Sequence, residues 1–351
     1  MLDYLIVGLG LAGMSFCEQL EKKGATYKVI SDTSQTSSIV AGGLYNPVIL
    51  KRFTMAWNAQ QQLEMALPFY AALEKKLAVK LDYKLPVLRR FASVEEQNMW
   101  FEASDKKSLN AFLSPEIIKN KNPHIDTPYG LGKVLDTGRI DTETLLFNYK
   151  NRLLNEGKVI VETFEHDQLA IAEDHLSYKA VKARRIVFAE GFGMKMNPYF
   201  NYLPLTSTKG EYVTIKAPKL KEENAIKSSM FLIPWKEDLY RVGATYKWKD
   251  ITNEPTLASR EELLEKLETF VKCDYEVVDQ VAGIRPTVTD RRPLVGQHPE
   301  YSNLYVLNGF GSRGVLVAPY ASEQLLNSIE KQTPIATDMN IERFAKKYVV
   351  K

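Results

Sequence analysis

Apolar positions along the chain change their period several times, and each change marks an element. Tyr4-Leu5-Ile6-Val7 is a continuous apolar run, the pattern of a short strand buried on both faces. It gives way to Ala12, Phe16 and Leu20 at a spacing of four, with Gly13 and Cys17 beside them. That is a helix with one apolar face, and Gly24 closes it, since glycine accepts the left-handed conformation that ends helices. Tyr27-Lys28-Val29-Ile30 predicts a second strand. Further along, the pattern predicts a helix over 58–77 with Leu63, Leu67, Tyr70 and Leu73 on one side, a strand over 85–91, and a helical excursion over 96–113. A helix over 142–156 follows, with strands over 158–161 and 185–189.

After Pro204 the rhythm shifts to alternation, and 211–215, 230–233 and 239–243 are spaced as an antiparallel sheet. Ser259-Arg260-Glu261-Glu262 has the form of a capping box that opens a helix with Leu263, Leu267 and Phe270 inward. Leu304-Tyr305-Val306-Leu307 returns to the continuous apolar pattern, and Pro319 is expected at the start of the last long helix. The order of elements predicts an α/β chain. A Rossmann-type nucleotide-binding domain is expected from the discontinuous segments 1–80, 135–200 and 295–351, with an inserted antiparallel-sheet α+β domain from 81–134 and 201–294. A length of 351 residues suits two such units.

Composition narrows the class. Hydrophobic residues at 45% and charged residues at 25% are ordinary globular values, and the net charge of +3 is dispersed, so composition does not argue for a nucleic-acid or membrane surface. Two cysteines, Cys17 and Cys273, and four histidines fall in no metal-ligating or disulfide spacing, so no metal is expected. No apolar run is long enough to span a bilayer, and the first strand begins too early to leave room for a signal peptide. The cytoplasm is the expected compartment.

The chemistry gathers at glycines. Gly8-Leu9-Gly10-Leu11-Ala12-Gly13 sits between a strand and a helix, the context in which G-x-G-x-x-G means dinucleotide binding. Gly8 permits the tight turn, Gly10 lets the backbone approach a pyrophosphate, and Gly13 lets the helix pack on the strand. The first-turn N–H groups, at Leu11 and Ala12, then face the phosphates with the positive end of the helix dipole. Such a unit ends its second strand with an acid on the ribose. Asp32 lies 19 residues past Gly13, with Ser31 as the alternative partner; Asp32 could also simply start the Ser/Thr-rich loop that follows. Ala41-Gly42-Gly43-Leu44 allows close backbone approach to a ligand or a bare turn. Gly191 follows the 185–189 strand at its carboxyl end, where α/β sheets meet ligands. Asn308-Gly309-Phe310-Gly311-Ser312-Arg313-Gly314 is a second glycine-rich turn.

Taken together, Gly8 to Gly13, Ala41 to Leu44, Ala282-Gly283-Ile284-Arg285-Pro286-Thr287 with Asp290, Pro293 and Gly296, and Gly309 to Gly314 resemble, in order and over nearly the whole length, the FAD-dependent amine oxidoreductases of the D-amino acid oxidase and glycine oxidase superfamily. Gly138-Arg139-Ile140-Asp141 and Gly243-Ala244-Thr245-Tyr246 echo the same pattern more weakly. The resemblance implies non-covalent FAD. It places Gly8, Gly10 and Gly13 on the pyrophosphate, Asp32 or Ser31 on the ribose, Val161 at adenine, and Ala41 to Leu44 along the path to the flavin. The turn from Gly309 through Gly311, Ser312 and Gly314 to Val315 is implied at the flavin's pyrimidine end. Arg285 is implied as the partner of a substrate carboxylate, a role suited to a planar fork of donors, though a structural ion pair or a cofactor contact would also explain it. Arg313 is left between flavin, substrate and solvent, and Tyr45, Tyr212, Tyr240 and Tyr246 are candidate pocket walls.

The implied reaction is hydride transfer from a small carboxylate-bearing amine to the flavin, hydrolysis of the imine, and reoxidation by dioxygen or another electron acceptor. Gly43-Leu44-Tyr45-Asn46-Pro47 and Gly311-Ser312-Arg313-Gly314 also look like the oxidase domain of the bifunctional tRNA wobble-uridine modification enzyme, which acts on a carboxymethylamino group. An FAD-binding dehydrogenase or sensor without oxidase turnover is the third reading.

Overall fold

The computed structural model describes residues 1–348; residues 349–351, the end of the expected 295–351 segment, lie outside the described residues. The first sheet has a parallel core in the order Val159–Ile160, Tyr27–Ile30, Leu2–Val7, Val181–Phe188, Leu304–Asn308. Leu2–Val7 is central, and the chain winds outward from it to both sides. Hairpin strands Leu169–Ile171 and Leu176–Tyr178 extend one edge, and Leu294–Gln297 runs antiparallel beside Leu304–Asn308.

The continuous apolar runs follow from burial on both faces. Tyr4, Ile6, Val29, Val187, Tyr305 and Leu307 pack against a helical layer, while Leu5, Val7, Ile30, Ile186, Phe188 and Val306 face a second apolar cluster around Phe164, Tyr178 and Phe200. The helical layer contains α1 (Leu11–Lys23), α2 (Ala59–Leu77), α4 (Thr142–Asn155) and α6 (Gly314–Lys331). As expected, α1 closes at Gly24 in the left-handed conformation, φ 68°.

The second sheet has eight strands in the order Glu276–Val288, Leu205–Lys216, Leu239–Gly243, Phe231–Lys236, Ala225–Lys227, Val87–Arg90, Leu131–Val134, Leu113–Ile118. Its pairs are antiparallel except Ala225–Lys227 with Val87–Arg90. Val213, Ile215, Leu232, Tyr240 and Val242 face α5 (Leu257–Glu268), whose Leu263 and Leu267 are buried with Phe270. The alternate residues of the same strands face the first sheet's loops. A small sheet of Leu44–Tyr45, Gly138–Ile140 and Asp82–Lys84 lies where the two halves meet.

Three local expectations are corrected. The excursion over 96–113 is a shorter helix, α3 (Val94–Ser104), followed by turns, and Leu113 already begins a strand. Pro115 disfavours helical backbone only at Ser114, the residue before it, and so accounts for the extended backbone there rather than for the earlier end of α3. The cap of α5 is Thr256, whose hydroxyl accepts the Ser259 N–H at 3.3 Å, so Ser259 lies inside the first turn. Pro319 is well inside α6, which starts at Gly314. A proline there leaves the carbonyl four residues earlier without its helical donor. That carbonyl belongs to Val315 and is taken by the buried hydroxyl of Tyr70 at 2.8 Å.

Candidate active site

The glycine turn after Leu2–Val7 is shaped by contact as much as by conformation. Gly8 has φ 97°, and a Cβ there would stand 2.4 Å from the Ala189 carbonyl oxygen; one on Gly13 would stand 2.0 Å from the Gly8 oxygen. The N-terminus of α1 is therefore seated directly on the end of the central strand. Gly10 is its N-cap and no side chain caps it; Ser38 Oγ alone approaches, 3.3 Å from the Leu11 N–H. Helix α6 starts the same way at the end of Leu304–Asn308, with Arg313 as N-cap and no side-chain cap. Two uncapped helix N-termini thus open at the carboxyl edge of one parallel sheet, each with first-turn donors and a positive dipole end suited to anionic groups.

Ser31 and Asp32 both follow the Tyr27–Ile30 strand. Burial works to raise the Asp32 pKa, but the Ser34 N–H at 3.0 Å and the hydroxyls of Ser34 and Thr163, at 2.7 and 2.9 Å, hold the carboxyl below its ordinary value. Ser31 donates its hydroxyl to the Asp32 carbonyl at 3.3 Å. Val161, just past the next strand, is 57% exposed. In the Ala41 to Leu44 run, the Gly43 carbonyl accepts the Ile140 N–H at 3.0 Å. Gly42 lies under the Tyr212 phenol, whose oxygen a Cβ would meet at 2.8 Å.

Asn308, which sequence reasoning missed, joins two of these turns. Its Nδ2 donates to the Gly191 carbonyl at 2.9 Å and its Oδ1 accepts the Gly309 N–H at 2.7 Å. A polar residue ending an otherwise apolar strand was the available signal. Asn308→Leu leaves the buried Gly309 N–H and the half-buried Gly191 carbonyl without these partners, so we expect at least a tenfold loss of FAD affinity and about 1–3 kcal/mol of stability, read by flavin release on dilution and by thermal unfolding.

Arg285 lies on Glu276–Val288, opposite Thr208 of Leu205–Lys216. Its guanidinium spreads across Gly210, where a Cβ would fall 1.8 Å from Nη2. Nη1 donates to the Thr245 carbonyl at 3.3 Å, and the Tyr246 ring centroid is 5.6 Å away. Among the described residues no carboxylate pairs with it. Burial holds its pKa below the ordinary arginine value despite the nearby Tyr212 and Tyr246. The Gly311 N–H donates to the Pro286 carbonyl at 3.0 Å, which fastens the second glycine turn beside Arg285. Arg313 is half-buried next to that turn; its shielded Nη2 has no hydrogen-bond partner among the described residues, and burial brings its pKa down to about 10.

The contact at Gly210 gives a direct test of how Arg285 is held. A Cβ there meets only the far end of a flexible side chain. Gly210→Ala is expected to fold normally and keep FAD while displacing the guanidinium, with KM for a carboxylate substrate rising about tenfold, as for one weakened charged hydrogen bond. Steady-state kinetics beside a melting curve checks this.

The four candidate tyrosines separate. Tyr212 and Tyr246 reach the site, by Gly42 and Arg285 respectively. Tyr45 is tied to Asp82 and Lys84 in the small sheet, and Tyr240 lies on the α5 face, its hydroxyl accepting the Glu222 N–H. The structure adds a ladder the sequence did not reveal. Trp235 is held between the guanidinium groups of Arg139 and Arg241, at 4.1 and 3.7 Å from its centroid, and Arg241 donates to the Val40 carbonyl at 3.2 Å. It fixes the segment leading into Gly42 against the second sheet. A cavity of about 280 Å³ beside it, lined by Val40, Thr214, Trp235, Leu239 and Arg241, opens at the end of that sheet face away from Arg285.

No helix among the described residues is long and apolar enough to cross a membrane, and no grouping of His, Cys, Asp and Glu among them could hold a metal ion.

A family model described as FAD dependent oxidoreductase, DAO, matches residues 3–327. The tRNA 5-methylaminomethyl-2-thiouridine biosynthesis bifunctional protein MnmC of Legionella pneumophila (strain Corby) is 26% identical over 401 residues, covering 99% of this chain and 58% of that protein. This chain therefore spans little more than half of that relative's length. Glycine oxidase of Bacillus subtilis (strain 168) is 25% identical over 245 residues, covering 66% of this chain and 65% of that enzyme. The fold matches the crystal structure of glycine oxidase from Geobacillus kaustophilus with a TM-score of 0.80 at 18% identity, covering 98% of this chain and 97% of that one. The cofactor of the family is FAD, and the cradle fits it: glycines packed where a Cβ would collide, and two uncapped helix N-termini at one sheet edge. The chain belongs to the DAO family of FAD-dependent oxidoreductases.

Proposed function

We propose that the chain oxidises a small amine or amino acid bearing a carboxylate, which Arg285 holds. The observation that carries this reading is the Arg285 guanidinium itself. It is half-buried, stretched over Gly210, bonded among the described residues only to the Thr245 carbonyl, and without a carboxylate partner among them. A guanidinium in that state stabilises an incoming carboxylate through two parallel bonds. FAD supplies the two-electron acceptor for the reaction. Gly8, Gly10, Leu11, Ala12 and Gly13 hold its pyrophosphate, Asp32 or Ser31 its ribose, and Val161 its adenine. Ala41, Gly42, Gly43, Leu44 and Gly191 line its path, and Gly309, Gly311, Ser312, Arg313, Gly314 and Val315 surround its pyrimidine end, where donors and cationic charge favour the reduced state.

The chain's own part is then positioning. Arg285 fixes one end of the substrate, Tyr246 and Tyr212 bound the space beside it, and no side chain is required to take a proton if the amine binds neutral. Segments 1–80, 135–200 and 295–351 form the FAD-binding part, and 81–134 with 201–294 the substrate part. Dioxygen is the favoured acceptor. Anaerobic mixing with glycine, sarcosine and D-proline tests the reading through the flavin absorbance. Bleaching that recovers in air is expected; bleaching without recovery identifies a dehydrogenase, and no bleaching with any carboxylate amine overturns the proposal.

The alignment of 99% of the chain with the bifunctional tRNA-modifying relative favours a second reading, oxidation of a carboxymethylamino group on a modified tRNA base. Arg285 serves that carboxylate equally well. Salt-sensitive retardation of tRNA in a gel supports it, and absence of retardation at low salt counts against it.

A further inference from the structure

The side of the second sheet that faces the first sheet's loops carries another arginine without a counter-ion. Thr214 pairs with Arg241 on one side and with Asp279 on the other, so the three stand in one row across three strands. Directly paired residues point to the same side of a sheet, and the arginine and the acid therefore flank a buried threonine. Their backbones are two strand spacings apart, about 10 Å, and the short Thr214 side chain leaves the space between them open. That space is the cavity of about 280 Å³ beside Trp235. Arg285 pairs with Thr208, six residues back along the same strand, or about 20 Å, so the cavity is separate from the substrate anchor.

Arg241 is 5% exposed and lines the floor. Among the described residues its one hydrogen bond runs from Nη1 to the Val40 carbonyl at 3.2 Å, its Nε has no partner, and no carboxylate stands within ion-pair distance. Burial holds its pKa below the ordinary arginine value, and Glu143 and Asp279 oppose this only from a distance. Those two acids are exposed at the mouth of the cavity and form no ion pair among the described residues. Ile39, Val40, Leu239, Val281 and the Trp235 ring supply apolar walls. The chamber thus has a cation at its floor, two carboxylates at its mouth and hydrocarbon between.

A buried charge without a counter-ion is costly, and a carboxylate that reaches it recovers that cost. A simple anion at Arg241, however, also meets the repulsion of two acids. A zwitterion satisfies both ends. We propose that this cavity is an accessory site for a free α-amino acid with a small apolar side chain, bound with its carboxylate inward at Arg241 and its ammonium group outward toward Glu143 and Asp279. The volume lies at the low end for ligand pockets, which limits the side chain to a few carbons. The site does not depend on the role given to Arg285. An amino acid held there touches Ile39 and Val40, the residues that lead into the run from Ala41 to Leu44.

The test is calorimetric titration of the FAD-loaded wild type and of Arg285→Ala with three compounds built on a quaternary carbon, which has no hydride to give. These are isovaline, 2,2-dimethylbutanoate, with methyl in place of the ammonium group, and 2-methylbutan-2-amine, with methyl in place of the carboxylate. In Arg285→Ala, isovaline is expected to bind about tenfold tighter than 2,2-dimethylbutanoate, as for one charged hydrogen bond, and the amine not to bind. Adding Glu143→Gln and Asp279→Asn, both exposed positions, should bring isovaline to the affinity of 2,2-dimethylbutanoate. Thr214→Leu fills the gap and should abolish isovaline binding, with a melting curve to show that the protein is folded. The wild type should bind isovaline at this site as tightly as Arg285→Ala does. Equal binding of isovaline and 2,2-dimethylbutanoate in Arg285→Ala, isovaline binding that survives the paired acid changes undiminished, isovaline binding lost with Arg285→Ala, or no isovaline binding at all overturns the site.

Discussion

Replacing Arg285 with alanine is expected to raise KM for a carboxylate-bearing amine by about 10²- to 10³-fold, with FAD still bound and the melting temperature no lower than that of the wild type. The magnitude follows from losing a charged, bidentate partner in a buried site, on the order of 3–4 kcal/mol at 1.4 kcal/mol per tenfold. The stability expectation follows from what Arg285 lacks. It has no carboxylate partner among the described residues, and burial already depresses its pKa, so removing the charge relieves a desolvation cost and breaks among them only the bond to the Thr245 carbonyl. Arg285→Lys restores a charge but not the fork, and should recover a minor part of the loss. Steady-state kinetics, flavin content and a melting curve on the same preparation make the comparison. Loss of FAD from the alanine variant would show that Arg285 serves the cofactor or the fold instead.

The other large effect is expected at the first turn. Gly13→Ala places a Cβ 2.0 Å from the Gly8 carbonyl oxygen, which is backbone and cannot swing aside. Neither partner has room to move, since Met14, Phe16, Cys17 and Leu20 on α1 and Leu5 and Ile6 on the strand are completely buried. The helix N-terminus must separate from the strand end, and we expect the variant to be purified without FAD and destabilised by about 3 kcal/mol or more. Gly24→Ala is the control. Gly24 also has positive φ, 68°, but nothing stands within 4 Å of its missing Cβ, so only a conformational cost of about 1 kcal/mol is expected and FAD is retained. Flavin-to-protein absorbance ratios and thermal unfolding of both variants check the pair. A Gly13→Ala protein with a full complement of FAD would refute the account of that turn.

Much of the frame was legible because it rests on local rules. A strand buried on both faces must be apolar at every position, which is why Tyr4 to Val7 and Leu304 to Leu307 stood out, and a helix start on a strand end demands glycine at fixed offsets. The failures were also physical. Pro319 looked like a first-turn residue because its helix, taken alone, has no donor for the Val315 carbonyl, and that donor, Tyr70, comes from another helix 245 residues earlier in the chain. The α5 cap was misplaced because Thr256 and Ser259 are both good caps by type, and the hydroxyl and backbone contacts of Thr256 to Glu211 favour the earlier one.

The chemistry divides along the same line. The sequence by itself determined that Gly8 to Gly13 turn from a strand into a helix in the dinucleotide-binding pattern, since spacing and residue type are properties of one dimension, while the family resemblance implied a carboxylate partner for Arg285. Only the tertiary structure decided that Arg285 has no acid among the described residues to pair with, that Tyr246 lies beside it while Tyr45 and Tyr240 do not, and that Asn308 ties Gly191 to Gly309. Each of these depends on which side of a sheet a residue faces and on what another strand brings opposite it. An arginine becomes a binding residue or a structural one according to whether a carboxylate from elsewhere in the chain arrives within reach, and pairing across distant strands settles that.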